Sequence, residues 1–204
     1  MGRVLLARHG ETRWSREGRL QGWAPVRLTD RGRGQAAALG EALAARAPDR
    51  LRTSDRYRSL RTAQVVGAAT GLDAVPDRAW RARDLGRLQG LPADEAFERF
   101  PRFSVARRGE AALTERPEGG ESVRDARERV LEAFDRLAAR LGADETVVVL
   151  THADVVRAVR CAVAGTDLVT ATLEDSVSPA SITEIAVGDG ERTVVTAATT
   201  AHLD

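Results

Sequence analysis

Apolar positions along the chain form two kinds of pattern. Short continuous runs predict buried strands: Val4-Leu5-Leu6-Ala7 after Arg3, and Thr146-Val147-Val148-Val149-Leu150, which is the strongest because it is β-branched and apolar throughout. Arg50-Leu51-Arg52-Thr53 predicts a further short strand, and residues 182–187 and 193–197 predict a hairpin around Gly188-Asp189-Gly190-Glu191. The other pattern is helical. Thr29 and Asp30 offer an N-cap for a helix to about Ala47 that carries Ala37, Leu39, Ala42 and Leu43. Ser54 and Asp55 offer the cap of a helix reaching Thr70, with Gly71 as its stop. Pro92 suits the first turn of a short helix ending before Pro101. Ser122 followed by Asp125 opens a helix with Val130, Leu131, Phe134, Leu137 and Leu141 on one face, closed by Gly142, and another helix is expected from about Asp154 to Ala164. Residues 101–121 have no period and many charges, and read as a loop or lid.

Strand and helix alternate, which predicts an α/β fold: a doubly wound, mostly parallel sheet with helices on both faces. The 204 residues suffice for one such domain, and neither a repeat nor a linker divides them. Acids and bases nearly cancel, 30 against 31, so no global field favours nucleic acid or a membrane, and any anion site must be local. All the bases are arginine, which reads chiefly as a codon bias. The single cysteine, Cys161, lies in an apolar stretch and reads as a small core residue; it cannot form a disulfide within the chain. No apolar run approaches the ~18 residues of a membrane span. No signal peptide is recognised, so the expected location is the cytoplasm.

Chemistry gathers at two strand ends. His9 directly follows the first strand and His152 directly follows the strongest one. In open α/β sheets ligands bind beyond the carboxyl ends of strands, so if these two strands are neighbours the imidazoles share one crevice. Arg8 precedes His9, while Arg58 and Arg61 lie three residues apart on the helix after Thr53 and are expected to share a face. Guanidinium forks match phosphate oxygens, and a neutral imidazole can attack phosphorus, so phosphoryl transfer is one reading. Metal ligation by the histidines with carboxylates is the other, although thiolates are absent apart from Cys161. Gly10 is read as allowing backbone to approach a ligand. His202, close to the chain end, is given no role.

The order of motifs resembles the histidine phosphatase superfamily, the phosphoglycerate-mutase-like family. It is carried by Arg8-His9-Gly10-Glu11-Thr12, Trp14, Gly18-Arg19-Leu20-Gln21-Gly22-Trp23, Leu28-Thr29-Asp30-Arg31-Gly32, Gln35-Ala36, Thr53-Ser54-Asp55, Arg58 with Thr62-Ala63, Gly86-Arg87-Leu88-Gln89-Gly90, Gly119-Gly120-Glu121-Ser122 and Thr151-His152-Ala153. The resemblance implies His9 as the phosphorylated nucleophile, with Arg8, Arg58 and His152 completing the phosphate pocket. It implies Gln21 and Gly22 as substrate contacts, the Glu121 region as cleft lining, and neither metal nor cofactor.

Three positions depart from the family pattern. Ala153 stands where glycine is common and adds a methyl to the pocket. Ser15 stands where asparagine is common and reaches less far towards a phosphate. Ala82 stands where the family has the glutamate that protonates the leaving oxygen, help worth about 10²–10⁴-fold in general. Asp84, Glu121 and Asp154 are the nearest candidates for a replacement acid; Asp154 is favoured because it begins the helix after His152, and its competing role is a helix-start carboxylate. The expected activity is phosphomonoester hydrolysis on a small phosphorylated metabolite, impaired to the degree that the acid is missing. The alternatives are a mutase-type phosphotransferase, a non-catalytic phospholigand binder, and a chain altered at residue 82 to trap a ligand. Arg102, Arg107, Arg108 and Arg116 are candidates for a second anion contact, against a solvated charged loop. Trp14, Trp23 and Trp80 are candidates for an apolar wall, against packing for Trp80 at least. Oligomeric state is not legible.

Overall fold

The computed structural model describes residues 1–174, 176–188 and 190–203. In chain order the elements are β1 (Gly2–Arg8), α1 (Arg13–Arg16), α2 (Asp30–Ala44), β2 (Arg50–Thr53), α3 (Tyr57–Thr70), β3 (Ala74–Pro76), α4 (Ala93–Arg99), α5 (Val105–Arg108), α6 (Val123–Ala138), β4 (Thr146–Thr151), α7 (Ala153–Ala164), α8 (Leu168–Glu174), β5 (Ile182–Gly188) and β6 (Glu191–Thr199). The strands form one sheet in the order β3-β2-β4-β1-β5-β6. Pairing is parallel from β3 to β1 and antiparallel from β1 to β6. The fold is α/β, doubly wound and mixed, with a parallel half that holds β1 and β4 side by side.

Two cores follow from the alternation of side chains along β1 and β4. Val4, Leu6, Val147 and Val149 face α6 and α7, where they meet Val130, Phe134, Val155 and Val159. Leu5, Ala7, Val148 and Leu150 face the opposite way, against Leu39 and Leu43 of α2 and Ala63 and Val66 of α3. Both faces of these central strands are buried, which is why their sequences read as unbroken apolar runs. Trp80 lies fully buried in the first core, and Cys161 is buried in α7.

Several boundaries differ from the sequence expectation. Helix α2 stops at Ala44, and the chain turns through Ala47 at φ 44°. Helix α3 begins after Arg56 with no side-chain cap. Asp55 instead makes a bidentate pair with Arg81, whose hydrogen bond draws the carboxyl pKa down to about 2, and Ser54 turns into the site. Ser122 does cap α6, in a reciprocal pair with Asp125. Residues 101–121 are not structureless. They hold α5 and 3₁₀ turns at Pro101–Phe103 and Gly109–Leu113, and they bury Phe103, Val105, Ala112 and Leu113 in two small apolar clusters. The arginines that dominate this stretch conceal an apolar pattern too short to show a period.

No helix among the described residues is long and apolar enough to cross a membrane.

Candidate active site

The register of the central strands brings the two histidines together. Arg8 of β1 lies opposite Thr151 of β4, so His9 and His152 each leave the sheet one residue later, side by side. The His9 N–H donates to Thr151 O at 3.0 Å, and the ring centroids are 5.3 Å apart in an edge-to-face arrangement. Ser54, one residue past β2, donates its N–H to Leu150 O at 2.9 Å and so joins the same edge.

His9 is oriented at both nitrogens. Nδ1 lies 2.7 Å from Gly10 O. A carbonyl can only accept, so Nδ1 carries the proton and Nε2 presents its lone pair. Arg58 Nε donates to that Nε2 at 3.0 Å. The rest of the guanidinium is held by Gly22 O at 2.8 Å and Ala24 O at 3.2 Å, so three bonds set its plane. His152 Nε2 is 2.9 Å from Ser54 Oγ and 3.5 Å from Ser59 Oγ, and its buried Nδ1 has no hydrogen-bond partner among the described residues.

Both imidazoles are fully buried, and burial pushes their pKa values well below the usual histidine range; Arg58 and Arg8 push in the same direction. They are therefore neutral at pH 7. Arg8 and Arg58 are also buried, and desolvation lowers each to about 10 against the opposing pull of Asp154. Arg8 donates Nη1 to Val177 O at 2.5 Å, and its Nε is buried without a partner among the described residues.

Arg8, His9, Arg58 and His152 line a cavity of about 460 Å³, together with Gln21, Gly22, Arg81, Ala82, Arg83, Ala153 and Asp154. Asp154, in the first turn of α7, accepts from the Arg83 N–H at 2.6 Å. Ala82 is buried at the cavity wall, and its carbonyl accepts from Trp23 Nε1 at 2.8 Å.

Several candidates sit elsewhere. Ser15 is spent on Thr12, in a reciprocal cap of α1, and does not line the cavity. Glu121 does not line it either: its oxygens accept from Arg129 at 2.7 and 3.0 Å and from the Asp84 N–H at 2.9 Å. Arg129 in turn holds Ala79 O and Arg81 O, so Glu121 clamps the segment that carries Ala82. Asp84 accepts from the Gly86 N–H and bends that turn. Arg61, expected to share a face with Arg58, is instead exposed, beside Gln64 and Tyr57. Arg102, Arg107, Arg108 and Arg116 are exposed too. None of the three tryptophans lines the cavity; Trp23 lies between Arg56 and Arg81. His202 Nε2 lies 3.0 Å from Ala180 O, away from the cavity.

Gly10 is required by packing. A Cβ there would overlap the backbone of Gly32 at the start of α2, and a Cβ on Gly32 would overlap the backbone of Glu11. The two glycines let the loop after β1 sit directly on a helix.

Sequence reading missed Ser54, Ser59 and Arg83. Ser54 was masked by its suitability as a helix cap, and Arg83 by the abundance of arginine. Among the described residues no three His, Cys, Asp or Glu side chains cluster to hold a metal ion.

Known proteins resemble this chain in sequence and fold. Phosphoglycerate mutase-like protein 4 of Arabidopsis thaliana is 35% identical over 156 residues, covering 76% of this chain and 67% of that protein. Glucosyl-3-phosphoglycerate phosphatase of Mycolicibacterium vanbaalenii is 33% identical over 169 residues, covering 80% and 74%. The solved structure of Bacillus stearothermophilus YhfR superposes with a TM-score of 0.89 at 31% identity, covering 100% of both chains. The family model for branch 1 of the histidine phosphatase superfamily matches residues 4–200, and this chain belongs to that family.

Proposed function

We propose that this chain hydrolyses small phosphate monoesters through a phosphohistidine on His9, without a metal. The observation that carries the reading is the His9 tautomer: Nδ1–H is fixed by Gly10 O, so a neutral Nε2 lone pair is available to phosphorus. In the first step the Nε2–P bond forms and the P–O bond to the leaving group breaks. The Arg58 Nε–H turns its hydrogen bond from the imidazole to a phosphoryl oxygen, and Arg8 Nε and His152 Nδ1, both buried and without a partner among the described residues, are donors for the others. In the second step water attacks phosphorus, the P–N bond breaks, and His9 is restored.

Protons must also move. Ala82 cannot supply one, and among the described residues Asp154 is the carboxylic acid that lines the cavity. We assign it the transfer to a leaving alkoxide and the acceptance of a proton from the attacking water. Gln21, Gly22 and Ala153 line the cavity and are assigned to substrate contact. Relatives bear both phosphatase and mutase names. Hydrolysis is favoured here over transfer by the phosphatase names among the relatives. Ala82 by itself favours a second reading, a phospholigand binder that does not turn over.

The test is to mix the protein with phenyl phosphate in the presence of chelator and to map bound phosphate. An acid-labile, base-stable phosphate on the peptide containing His9, with phosphate release that is lost in His9→Ala, is expected. Binding without label or release would establish the binder instead, and full activity in His9→Ala would end the phosphohistidine reading.

A further inference from the structure

His152 lines the cavity, and the fold treats its two ring nitrogens differently. Nδ1 is buried and has no hydrogen-bond partner among the described residues, whereas Nε2 lies 2.9 Å from Ser54 Oγ and 3.5 Å from Ser59 Oγ. Burial keeps the ring neutral at pH 7, so it carries one proton, on either Nδ1 or Nε2. Only the first tautomer can donate from Nδ1. Ser54 lies one residue past β2, fully buried, and its Oγ already accepts the Arg56 N–H at 3.3 Å. What remains to be placed is the hydroxyl hydrogen, and among the described residues His152 Nε2 is the acceptor in reach.

We infer that Ser54 is a positioning residue: by donating Oγ–H to Nε2 it keeps the His152 proton on Nδ1, the nitrogen that donates to the phosphoryl group. The inference rests on the phosphatase reading above for the arrival of a phosphoryl group at Nδ1. In the other tautomer Nε2–H would face the serine oxygen, and the buried serine hydrogen would be left without an acceptor, which is the costly outcome for a buried polar group. Ser59 is the weaker partner, since 3.5 Å is the outer limit of a hydrogen bond. His9 is prepared the opposite way round. There a carbonyl, Gly10 O, accepts from Nδ1 and leaves Nε2 bare. An accepting carbonyl on one ring and a donating hydroxyl on the other fit two neighbouring imidazoles for different tasks, a lone pair for attack on His9 and an N–H for the phosphoryl oxygen on His152.

The test reads the tautomer directly. Long-range proton–nitrogen spectra are recorded at pH 7 on the full chain labelled at the histidine ring nitrogens, with His152 assigned by the signals lost in His152→Gln. The unsubstituted chain is expected to show a protonated Nδ1 and a bare Nε2. Ser54→Ala should shift the tautomer ratio towards Nε2–H by about five- to tenfold, the scale of one neutral hydrogen bond, and lower kcat on phenyl phosphate by a similar factor with KM changed less. Ser54→Thr, which keeps the hydroxyl, should restore both, and Ser59→Ala should leave the tautomer where it was. A protonated Nε2 on His152 of the unsubstituted chain overturns the inference whatever the variants do, and so does an unaltered tautomer in folded Ser54→Ala. The phosphatase reading fails separately: a protonated Nδ1 in a chain that releases no phosphate sinks that reading and leaves the assignment of Ser54 standing.

Discussion

Arg58 donates its Nε–H to Nε2 of His9 at 3.0 Å, the nitrogen that the Gly10 carbonyl leaves unprotonated. One guanidinium thus aims the nucleophile, while Gly22 O and Ala24 O hold its other two nitrogens. A lysine has the charge but not the fork. Arg58→Lys is expected to lower kcat on aryl phosphates by on the order of 10²–10³-fold, the usual cost of losing an aimed transition-state donor. Steady-state kinetics checks it, and a change of less than threefold would show that the fork is dispensable.

Neutral His9 and His152 make stability depend on pH in a defined direction. Their folded pKa values lie well below the ordinary value of about 6.5, chiefly through burial. Between the folded pKa values and about 6.5 the unfolded chain binds more protons. Stability is therefore fully present above about pH 6.5 and falls as the pH drops, by up to about 1.4 kcal/mol per pH unit for each ring. Denaturant melts from pH 8 to 5 read the slope, which should flatten in His152→Gln.

Asp154 and Ala82 can be separated by leaving group. Asp154→Asn should slow an alkyl phosphate by about 10²-fold or more and an aryl phosphate much less, because only the alkoxide needs a proton. Ala82→Glu should accelerate the alkyl ester. Equal loss on both esters in Asp154→Asn would assign Asp154 to the arginine cluster around it rather than to proton transfer.

Two glycines of α2 should respond oppositely to alanine. Gly32 sits on the backbone of Glu11, so Gly32→Ala forces the loop carrying His9 away from the helix. A loss of about 1–3 kcal/mol is expected, with reduced turnover. Gly34, within the same helix, faces open space, and Gly34→Ala should add about 0.5–1 kcal/mol. Thermal melts of the pair provide the comparison.

Much of the site was legible because its residues are adjacent in sequence to strong signals. An apolar run ending at His9 and a β-branched run ending at His152 identify two strand ends, and the alternation of elements predicts the sheet class. Local pattern and motif order determine that much, since strand propensity, burial on both faces and the Arg8-His9-Gly10 motif are written into neighbouring residues. What the tertiary structure decided is which long-range contacts those ends make. Only the parallel pairing of β1 with β4 sets the rings 5.3 Å apart. Ser54 was legible as a helix cap and became a partner of His152, because the chain leaves β2 at the same edge. Glu121 was legible as cleft lining and became a clamp on Arg129, 8 residues along the chain, because α6 packs under the segment of Ala82. The cavity lining comes from β1, α3, α5, α6, α7 and α8, elements far apart in sequence, and no local pattern announces a surface that exists only when they meet. Arg58 and Arg61 look alike in sequence; what packs against each of them buries one beside His9 and leaves the other in water with Gln64.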